Sequence, residues 1–415
     1  MSKYLFECID CKKHYVPDEV EYVCPSCAKD QKTMQPLRGL LRCIYDYERI
    51  AKEVDVGLLE NDKCGGFGRY TPILPISSDD FLPPLITGMT PLRNAQRMAH
   101  ELGLNEIWLK DDTCLPTGSF KDRASAMVVA MAREFGKDII ATASTGNAAT
   151  ALAGMATSAE MKSVIFVPES APKAKLTQMA VYGARLVLVK GNYDQAFELS
   201  IEACKKFHWY NRNTAYNPYT VEGKKTAALE IWEQLEYSVP DWVIVPTGDG
   251  VILAGIEKGF YDLKQLGLSD RMPRLVCVQA EGASPIVDAV KAGNDVISSQ
   301  LNPKTVADSI SVGVPRAGNW VLKALKSTFG EALAVSDEEI LSAISYLGKT
   351  TGIFAEPAAA AAIAGLKKMV SQNMIKNDER VVVLITGNGL KDVPAAMKSI
   401  EFPIPIEPSI SFVRA

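Results

Sequence analysis

Segments that resemble strands and helices alternate along most of the chain, and this alternation restricts the fold more than any other feature. The apolar runs Ile139–Ala143, Trp242–Val245 and Val381–Ile385 each lead into a small polar loop and then into a new segment. This order is typical of a parallel sheet covered by helices, so we predict an α/β fold. A chain of 415 residues is too long for one ordinary core, and two or three domains are expected.

A Thr-Gly pair recurs at the ends of these predicted strands. It follows strand-like runs at Thr145-Gly146, Thr247-Gly248 and Thr386-Gly387, and Thr117-Gly118 lies in the loop after the predicted strand Glu106–Lys110. In open α/β sheets, ligands bind at the carboxyl ends of the strands, where such loops meet. Four loops of one type therefore predict a single shared site.

Lys121 stands at the predicted turn between the strand Glu106–Lys110 and a helix over 124–135. The helix dipole and the nearby Arg123 disfavour the ammonium form, and partial burial has the same effect. A lysine with a lowered pKa is a nucleophilic amine suited to Schiff-base chemistry. The alternative is a surface lysine at a helix start, paired with Asp122.

The loop Ser144-Thr145-Gly146-Asn147 also joins a predicted strand to a predicted helix. Free N–H groups at a helix start bind carboxylate or phosphate, and the amide of Asn147 can donate to a phenolic or carbonyl oxygen. Ordinary helix capping by Ser144, Thr145 or Asn147 is the competing interpretation.

A glycine-rich turn, Thr247-Gly248-Asp249-Gly250-Val251, follows the buried run Trp242–Val245. Two glycines let the backbone approach an anion closely, and the turn lacks the full pattern of a P-loop or a dinucleotide fingerprint. A single bound phosphate is the natural interpretation. Thr386, at the end of the run Val381–Ile385, is expected to direct its hydroxyl into the cleft, with a plain turn as the alternative.

The first 38 residues contain a separate pattern of two Cys-x-x-Cys pairs, formed by Cys8, Cys11, Cys24 and Cys27. Four thiolates at this spacing can close a tetrahedral zinc site, and so small a unit needs such a site in order to fold. We therefore predict a structural zinc ribbon rather than redox-active pairs. Acidic residues around the cysteines argue against a nucleic-acid-binding ribbon.

Composition excludes several classes of function. A net charge of −4 gives no electrostatic basis for binding nucleic acid or an anionic membrane. No segment approaches the roughly 18 apolar residues of a membrane span, and the first residues lack the apolar part of a secretory signal. Nine cysteines, four of them in the metal pattern, suit a reducing compartment, and we expect a cytoplasmic protein.

Taken together, these segments resemble the threonine synthases and, more broadly, the pyridoxal-phosphate (PLP) enzymes built like the tryptophan synthase β-subunit, known as fold type II. The similarity extends from about Tyr70 to Asp392. The matching motifs are Ser119–Arg123, Ser144–Asn147, Asn217–Tyr219, Glu222–Thr226, Gly248–Gly250, Gln279–Ala283, Gly352–Pro357 and Thr386–Asp392.

The resemblance implies a role for each matching residue at the cofactor. Lys121 would form the Schiff base and move the α-proton of the substrate, and Phe120 would line the face of the cofactor ring. Asn147 would donate to the 3′ oxygen, and Thr386 would meet the pyridine nitrogen. A hydroxyl at that position leaves the nitrogen unprotonated, which favours elimination and replacement over transamination.

The resemblance also implies anion contacts. Ser144 and Thr145 would bind the substrate carboxylate. The cofactor phosphate would be held by four consecutive residues of the glycine-rich turn: Gly248, Asp249, Gly250 and Val251.

Among several departures from the pattern of the bacterial threonine synthases, the most telling lies directly after Asn-Pro-Tyr. Those enzymes carry an arginine after Asn-Pro-Tyr that binds the phosphate of O-phosphohomoserine, and this chain has Thr220 there. Loss of that arginine removes the bidentate partner for a dianion. Arg316 is the candidate replacement, with Lys173 and Lys175 as further candidates.

Two activities are consistent with these motifs. The first is the threonine synthase reaction, conversion of O-phosphohomoserine and water to threonine and phosphate. The second is β-elimination or β-replacement on serine, threonine, O-phosphoserine or diaminopropionate. A catalytically inactive binding homologue is a third possibility, which the presence of Lys121, Asn147 and Thr386 disfavours.

The predicted organisation has three parts. Residues 1–38 form the zinc ribbon, residues 39–104 and 224–415 form the large PLP-binding domain, and residues 105–223 form a small mobile domain that closes over the substrate. We expect PLP and a structural zinc ion as cofactors and a small amino acid as substrate. The relatives imply a homodimer.

Overall fold

The strands of the chain form three sheets in the computed structural model, which describes residues 3–32, 34–52, 57, 59, 65–169, 171, 173–191, 193–401 and 404–413. The strands are β1 (Tyr4–Cys8), β2 (His14–Tyr15), β3 (Leu41–Tyr45), β4 (Leu92–Asn94), β5 (Ile107–Asp111), β6 (Ile139–Ala143), β7 (Lys162–Pro168), β8 (Arg185–Val189), β9 (Tyr210–Asn211), β10 (Trp242–Pro246), β11 (Arg274–Ala280), β12 (Glu331–Val335) and β13 (Val381–Ile385).

Helices connect most of these strands. They are α1 (Pro25–Ala28), α2 (Tyr47–Ile50), α3 (Gln96–Leu102), α4 (Lys121–Glu134), α5 (Asn147–Ser158), α6 (Lys173–Val181), α7 (Tyr193–Phe207), α8 (Tyr219–Gln234), α9 (Val251–Gln265), α10 (Pro285–Lys291), α11 (Gly318–Thr328), α12 (Asp337–Thr351), α13 (Pro357–Ser371) and α14 (Val393–Met397). None of the helices in the described part of the chain is both long enough and apolar enough to cross a membrane.

The larger sheet has six strands in the order β12-β11-β10-β13-β5-β4. Its strand pairs are parallel except β4–β5, which is antiparallel. Successive residues of β10 belong to different cores: Val243 and Val245 to the core that contains α8 and α9, and Ile244 to the core that contains α12 and α13. A central parallel strand covered on both faces reads as a continuous apolar run. The predicted α/β class is confirmed.

The smaller sheet has four parallel strands in the order β8-β7-β6-β9. Its strands fall between residues 139 and 211, inside the predicted small domain of 105–223. Strand β5, however, pairs with β13 in the larger sheet, so residues 107–111 do not belong to the smaller one. The observed boundary differs from the predicted one because β5 pairs with β13, a strand far along the chain that local sequence does not reveal.

The N-terminal unit extends past its predicted end at residue 38. Strand β1 pairs with β2 and with β3, and Tyr4 lies opposite Tyr45 in the second pair. The unit packs on α8, where the hydroxyls of Tyr4 and Tyr219 are 2.5 Å apart and Tyr45 donates to Glu222 over 2.6 Å. The third strand was missed in the prediction because its partner, β1, lies more than 30 residues earlier.

A buried ionic cluster joins β5, α4 and α8. The guanidinium of Arg123 donates to Asp112 over 2.7 Å and to Glu230 over 2.8 Å, and Lys110 lies 2.7 Å from Glu230. All four side chains are buried. Burial by itself would raise the pKa of Glu230, but Arg123 and Lys110 outweigh that effect and hold it at about 2.

We predict that Glu230→Gln lowers the free energy of unfolding by about 3–5 kcal/mol, because it leaves buried cations without their carboxylate. Chemical denaturation at neutral pH measures this loss. Glu101→Gln removes the exposed ion pair with Arg97 and should leave the denaturation midpoint unchanged. An equal effect of the two substitutions would contradict a special role for the buried cluster.

Candidate active site

A cavity of about 590 Å³ lies at the ends of β6, β10 and β13, where the loops after these strands meet the start of α4. Three of the four Thr-Gly loops contribute to its wall, and the fourth precedes Lys121. The cavity is lined by ten of the predicted cofactor and substrate residues: Lys121, Ser144, Thr145, Asn147, Gly248, Asp249, Gly250, Val251, Arg316 and Thr386. Phe120 is not part of the lining; it is buried beside the guanidinium of Arg123.

Backbone hydrogen bonds attach the Lys121 loop to the loop after β13. Phe120 N donates to Thr386 O over 2.9 Å, and Asn388 N donates to Gly118 O over 3.0 Å. Gly118 has a φ of 81°, in the left-handed region that favours glycine. These contacts place Lys121 and Thr386 on the same cavity.

The carboxylate of Asp122 does not pair with Lys121, contrary to the alternative of a surface ion pair. It accepts a hydrogen bond from Thr117 N over 2.7 Å and another from the Thr117 hydroxyl. Burial raises the pKa of Asp122 to about 6. Asp122 therefore closes the loop that presents the lysine.

Lys121 is partly buried, and this desolvation lowers the pKa of its amine. The positive charge of Arg212 lowers it further, whereas Glu356 and Asp249 act in the opposite direction. Sequence reasoning assigned the neighbouring charge to Arg123, but that side chain is held by Asp112 and Glu230. The lowered pKa increases the neutral, nucleophilic fraction of Lys121 at neutral pH.

Asn147 is oriented by Glu356, a residue to which sequence reasoning gave no role. Its Nδ2 donates to both carboxylate oxygens of Glu356 over 3.0 Å. Glu356 is buried just before α13, and burial raises the pKa of its carboxyl. A Cβ at Gly387 would lie 2.3 Å from Oε1 of Glu356, so that glycine makes room for the carboxylate.

Two helices begin at the cavity without a side-chain cap. Helix α5 has Gly146 as its N-cap, and α9 has Gly250, with a φ of 85°. Capping by Ser144, Thr145 or Asn147 is therefore absent at α5; the Ser144 hydroxyl accepts instead from Gly146 N over 3.2 Å. Uncapped helix starts can accommodate anions.

The carboxylate of Asp249 is turned toward the loop before α11. It accepts a hydrogen bond from Arg316 N over 3.3 Å, and Ala317 N donates to Asp249 O over 2.8 Å. Gly248 fits against the same region, because a Cβ there would lie 2.9 Å from the Cα of Ile310. Asp249 thus holds the turn in place and does not cap α9.

Two cations that sequence reasoning left unassigned, Arg212 and Lys224, also line the cavity, together with Thr214. Of the predicted phosphate-binding candidates, Arg316 lines the cavity with its guanidinium over the ring of Phe197, 4.8 Å from the centroid. Lys175 forms an ion pair with Asp308. The side chain of Lys173, another candidate, lies outside the described residues.

The four cysteine sulfurs of the N-terminal unit lie within 4.8 Å of one another. Cys8 and Cys27 are 3.8 Å apart, and Cys11 and Cys24 are 3.7 Å apart. Four thiolates around a tetrahedral zinc with Zn–S bonds of about 2.3 Å are separated by about 3.8 Å. The sulfur positions fit such an ion.

Comparison with known proteins identifies the chemistry that such a cavity supports. Residues 84–387 match the family model described as pyridoxal-phosphate dependent enzyme. The chain belongs to this family. Lys121, the uncapped start of α9 and Thr386 lie in one cavity, so the residues present fit the aldehyde, the phosphate and the ring nitrogen of the family's cofactor.

Three relatives that are similar over most of the chain are all threonine synthases. Threonine synthase from Methanocaldococcus jannaschii is 39% identical over 99% of this chain and 98% of its own. The threonine synthase from Methanosarcina acetivorans is 37% identical over 99% of this chain and 98% of its own. The Mycobacterium bovis threonine synthase is 36% identical over 83% and 94%.

Solved structures show the same fold at lower identity. Threonine deaminase isoform 2 from Solanum lycopersicum superposes with a TM-score of 0.65 at 22% identity, over 75% of this chain and 82% of that one. Diaminopropionate ammonia lyase from Escherichia coli gives a TM-score of 0.64 at 19% identity, over 75% and 86%. The predicted fold type II architecture is confirmed by this likeness.

We predict that Gly387→Ala weakens cofactor binding at least about tenfold, equivalent to about 1.4 kcal/mol. The new Cβ displaces the carboxylate of Glu356, which then no longer orients Asn147. Titration of the apoenzyme with pyridoxal phosphate measures the affinity. Gly348→Ala is the control, because its Cβ would meet only one atom, 3.9 Å away. Equal cofactor affinity in both variants would refute an orienting role for Glu356.

Proposed function

We propose that this enzyme is a threonine synthase that converts O-phosphohomoserine and water to threonine and phosphate. The carbon–oxygen bond at the γ carbon breaks and releases phosphate, and the γ carbon gains a proton to become a methyl group. The β carbon loses a proton and bonds the hydroxyl of water, whose remaining proton balances the released phosphate. The relatives that match nearly the whole chain carry this name.

The observation that carries the proposal is the position of Lys121. Its amine, with a lowered pKa, opens on a cavity that also contains Asn147, Thr386 and the uncapped start of α9. The bound cofactor supplies the electron sink that stabilises negative charge at the substrate's carbon atoms. A lysine of this kind is the covalent anchor and proton carrier that such chemistry needs.

Residues of the chain transfer the protons, bind the substrate carboxylate and contact the ring nitrogen. Nζ of Lys121 accepts the proton of the substrate's α carbon and returns protons later in the reaction. The loop Ser144–Asn147 at the start of α5 receives the substrate carboxylate, because the helix begins there without a cap. Thr386 offers a hydroxyl to the ring nitrogen and so leaves that nitrogen uncharged.

A second candidate is elimination or replacement at the β carbon of a shorter amino acid. Thr220 favours it, since this residue replaces the arginine expected to bind a distal phosphate. Its hydroxyl donates to Asn217 O over 2.7 Å, and the residue does not line the cavity. Such an enzyme would use Lys121 in the same way but would not need a second phosphate site.

We predict that the holoenzyme releases threonine and phosphate from O-phosphohomoserine. Parallel reactions with O-phosphoserine, serine, threonine and diaminopropionate, followed for phosphate and ammonia, test the second candidate. Turnover of only these shorter substrates would refute the threonine synthase assignment. Lys121→Ala is the blank: it should lose the visible absorbance of the covalently held cofactor and all turnover.

We also propose that Cys8, Cys11, Cys24 and Cys27 hold one structural zinc ion. Support comes from the sulfur separations and from Tyr15, whose hydroxyl lies 3.0 Å from Sγ of Cys24. Three of the four cysteines are buried, so the site has little access for a substrate. A site filled by four thiolates has no open position for catalysis.

Metal analysis of the purified chain should find one zinc per chain, and Cys8→Ser should lower both the zinc content and the unfolding temperature. The small N-terminal unit loses its main restraint when the ion is removed. Cys277→Ser, a change at a buried cysteine outside the cluster, should leave the zinc content unaltered. Absence of metal together with unchanged stability of Cys8→Ser would exclude the zinc site.

We also propose that the protein is cytoplasmic and forms a homodimer. The eight described cysteines form no disulfide bonds with one another, which fits a reducing compartment. The dimer rests on the resemblance, and size-exclusion chromatography with light scattering measures it directly.

A further inference from the structure

Lys224 differs from the other fully buried lysines of the described chain. Lys110 is paired with Glu230, and Lys225 and Lys258 are both paired with Asp262. Lys224 is 1% exposed and forms no ion pair within the described residues; its amine donates to the Thr214 hydroxyl over 3.3 Å. A buried cation is normally paired with an anion, so this one is arranged for an anion that enters the cavity.

Arg212 adds a second positive charge to the same wall. It directly follows β9, where its N donates to Ala141 O over 2.8 Å, and its Nε donates to the Ser125 hydroxyl over 3.2 Å. Burial lowers the pKa of Lys224 strongly, and the charges of Lys121 and Arg212 lower it further. Asp249 acts in the opposite direction but forms no ion pair with Lys224 in the described chain. An anion bound here would relieve the repulsion among these cations.

Lys224 lies on α8 one turn after the position where the bacterial threonine synthases carry an arginine and this chain has Thr220. Thr220 and Lys224 are four residues apart on this helix, and side chains at that spacing lie on the same face, one turn apart. The hydroxyl of Thr220 donates its hydrogen bond to Asn217 O, just before the start of the helix. A cation one turn further along the helix is thus available to the cavity.

We propose that Lys224 and Arg212, assisted by the hydroxyl of Thr214, bind the phosphate group of the substrate. This inference rests on the proposed threonine synthase function and replaces Arg316, Lys173 and Lys175 as the source of the phosphate contacts. A guanidinium and an ammonium together supply the charge and the N–H donors that a phosphate dianion requires. The cofactor phosphate remains at the uncapped start of α9.

The packing around Lys224 fixes its backbone. A Cβ at Gly255 would lie 2.6 Å from Cβ of Lys224, so α8 and α9 touch at this point through the glycine. The backbone of Lys224 is therefore held where the two helices are in close contact, and the side chain extends from there to the cavity. A substrate phosphate bound there would be in the same cleft as the cofactor and close to Lys121.

The test uses the holoenzyme and inorganic phosphate as the probe, with binding followed by changes in the visible spectrum of the cofactor and by competition with substrate. Lys224→Met should weaken phosphate binding and raise the KM for O-phosphohomoserine by about ten- to hundredfold, as expected for a lost charged hydrogen bond. Its cofactor content should remain equal to that of the wild type. Removal of an unpaired buried charge is not expected to impair folding.

Four further variants complete the test. Lys224→Arg and Arg212→Lys keep the charge and should retain most of the phosphate affinity that Lys224→Met and Arg212→Met lose. Lys162→Met removes an exposed lysine at the start of β7 and should change nothing. Wild-type phosphate affinity in Lys224→Met would overturn the proposal, and so would a selective loss of cofactor, which would assign Lys224 to the cofactor phosphate.

Failure of the phosphate site and failure of the proposed reaction give different results. If the wild type makes no threonine but binds inorganic phosphate in a manner that depends on Lys224, the reaction assignment is wrong and the anion site stands. If threonine forms and Lys224→Met leaves both KM and phosphate binding unchanged, the reaction stands and the assignment of Lys224 is wrong.

Discussion

The parallel pairing of β5 with β13 is the contact on which the rest of the site depends. It places Lys110 opposite Leu384 and Asp111 opposite Ile385, so the two strands end side by side. The loop that leads to Lys121 and the loop that begins at Thr386 then emerge from one edge of the sheet. Backbone hydrogen bonds between these loops follow from that register, and so does the shared cavity.

The buried cations outside the cavity lining are paired with carboxylates, whereas those in the lining face the cavity. Outside the lining, the buried Arg123 and Lys110 are neutralised by Glu230 and Asp112, which ties α4 to β5 and α8. The cavity is lined by four cationic side chains and three acidic ones: Lys121, Arg212, Lys224 and Arg316, with Asp249, Asp308 and Glu356. The proposed binding of a cofactor phosphate and a substrate phosphate would need such cations, because dianions must be matched once water is removed.

The N-terminal unit contributes to the cavity as well as to stability. Met34 lines the cavity, and Leu37 N donates to Arg316 O over 3.0 Å. The hydroxyl of Tyr22 accepts from Asn211 N over 2.9 Å, next to Arg212. The unit that contains the four cysteines is thus linked to the cavity by direct contacts.

Much of the site could be predicted from the sequence because its parts are local. Apolar runs that end in Thr-Gly loops identified the strand ends, and Lys121, Asn147 and Thr386 stand at fixed offsets from them. The pattern Cys8, Cys11, Cys24 and Cys27 was likewise readable, since the spacing within each pair reflects the geometry of a metal ligand. These features depend on neighbours within a few residues, which the sequence shows directly.

Other features were decided by contacts between distant segments. The membership of β5 in the larger sheet depends on β13, and the orientation of Asn147 depends on Glu356, 209 residues away. The place of Lys224 in the cavity lining, four residues after Thr220, became visible only in the packed structure. Local sequence therefore determined the chemistry that the chain offers, and the tertiary structure decided which groups act together, because burial and charge coupling arise only when distant segments pack.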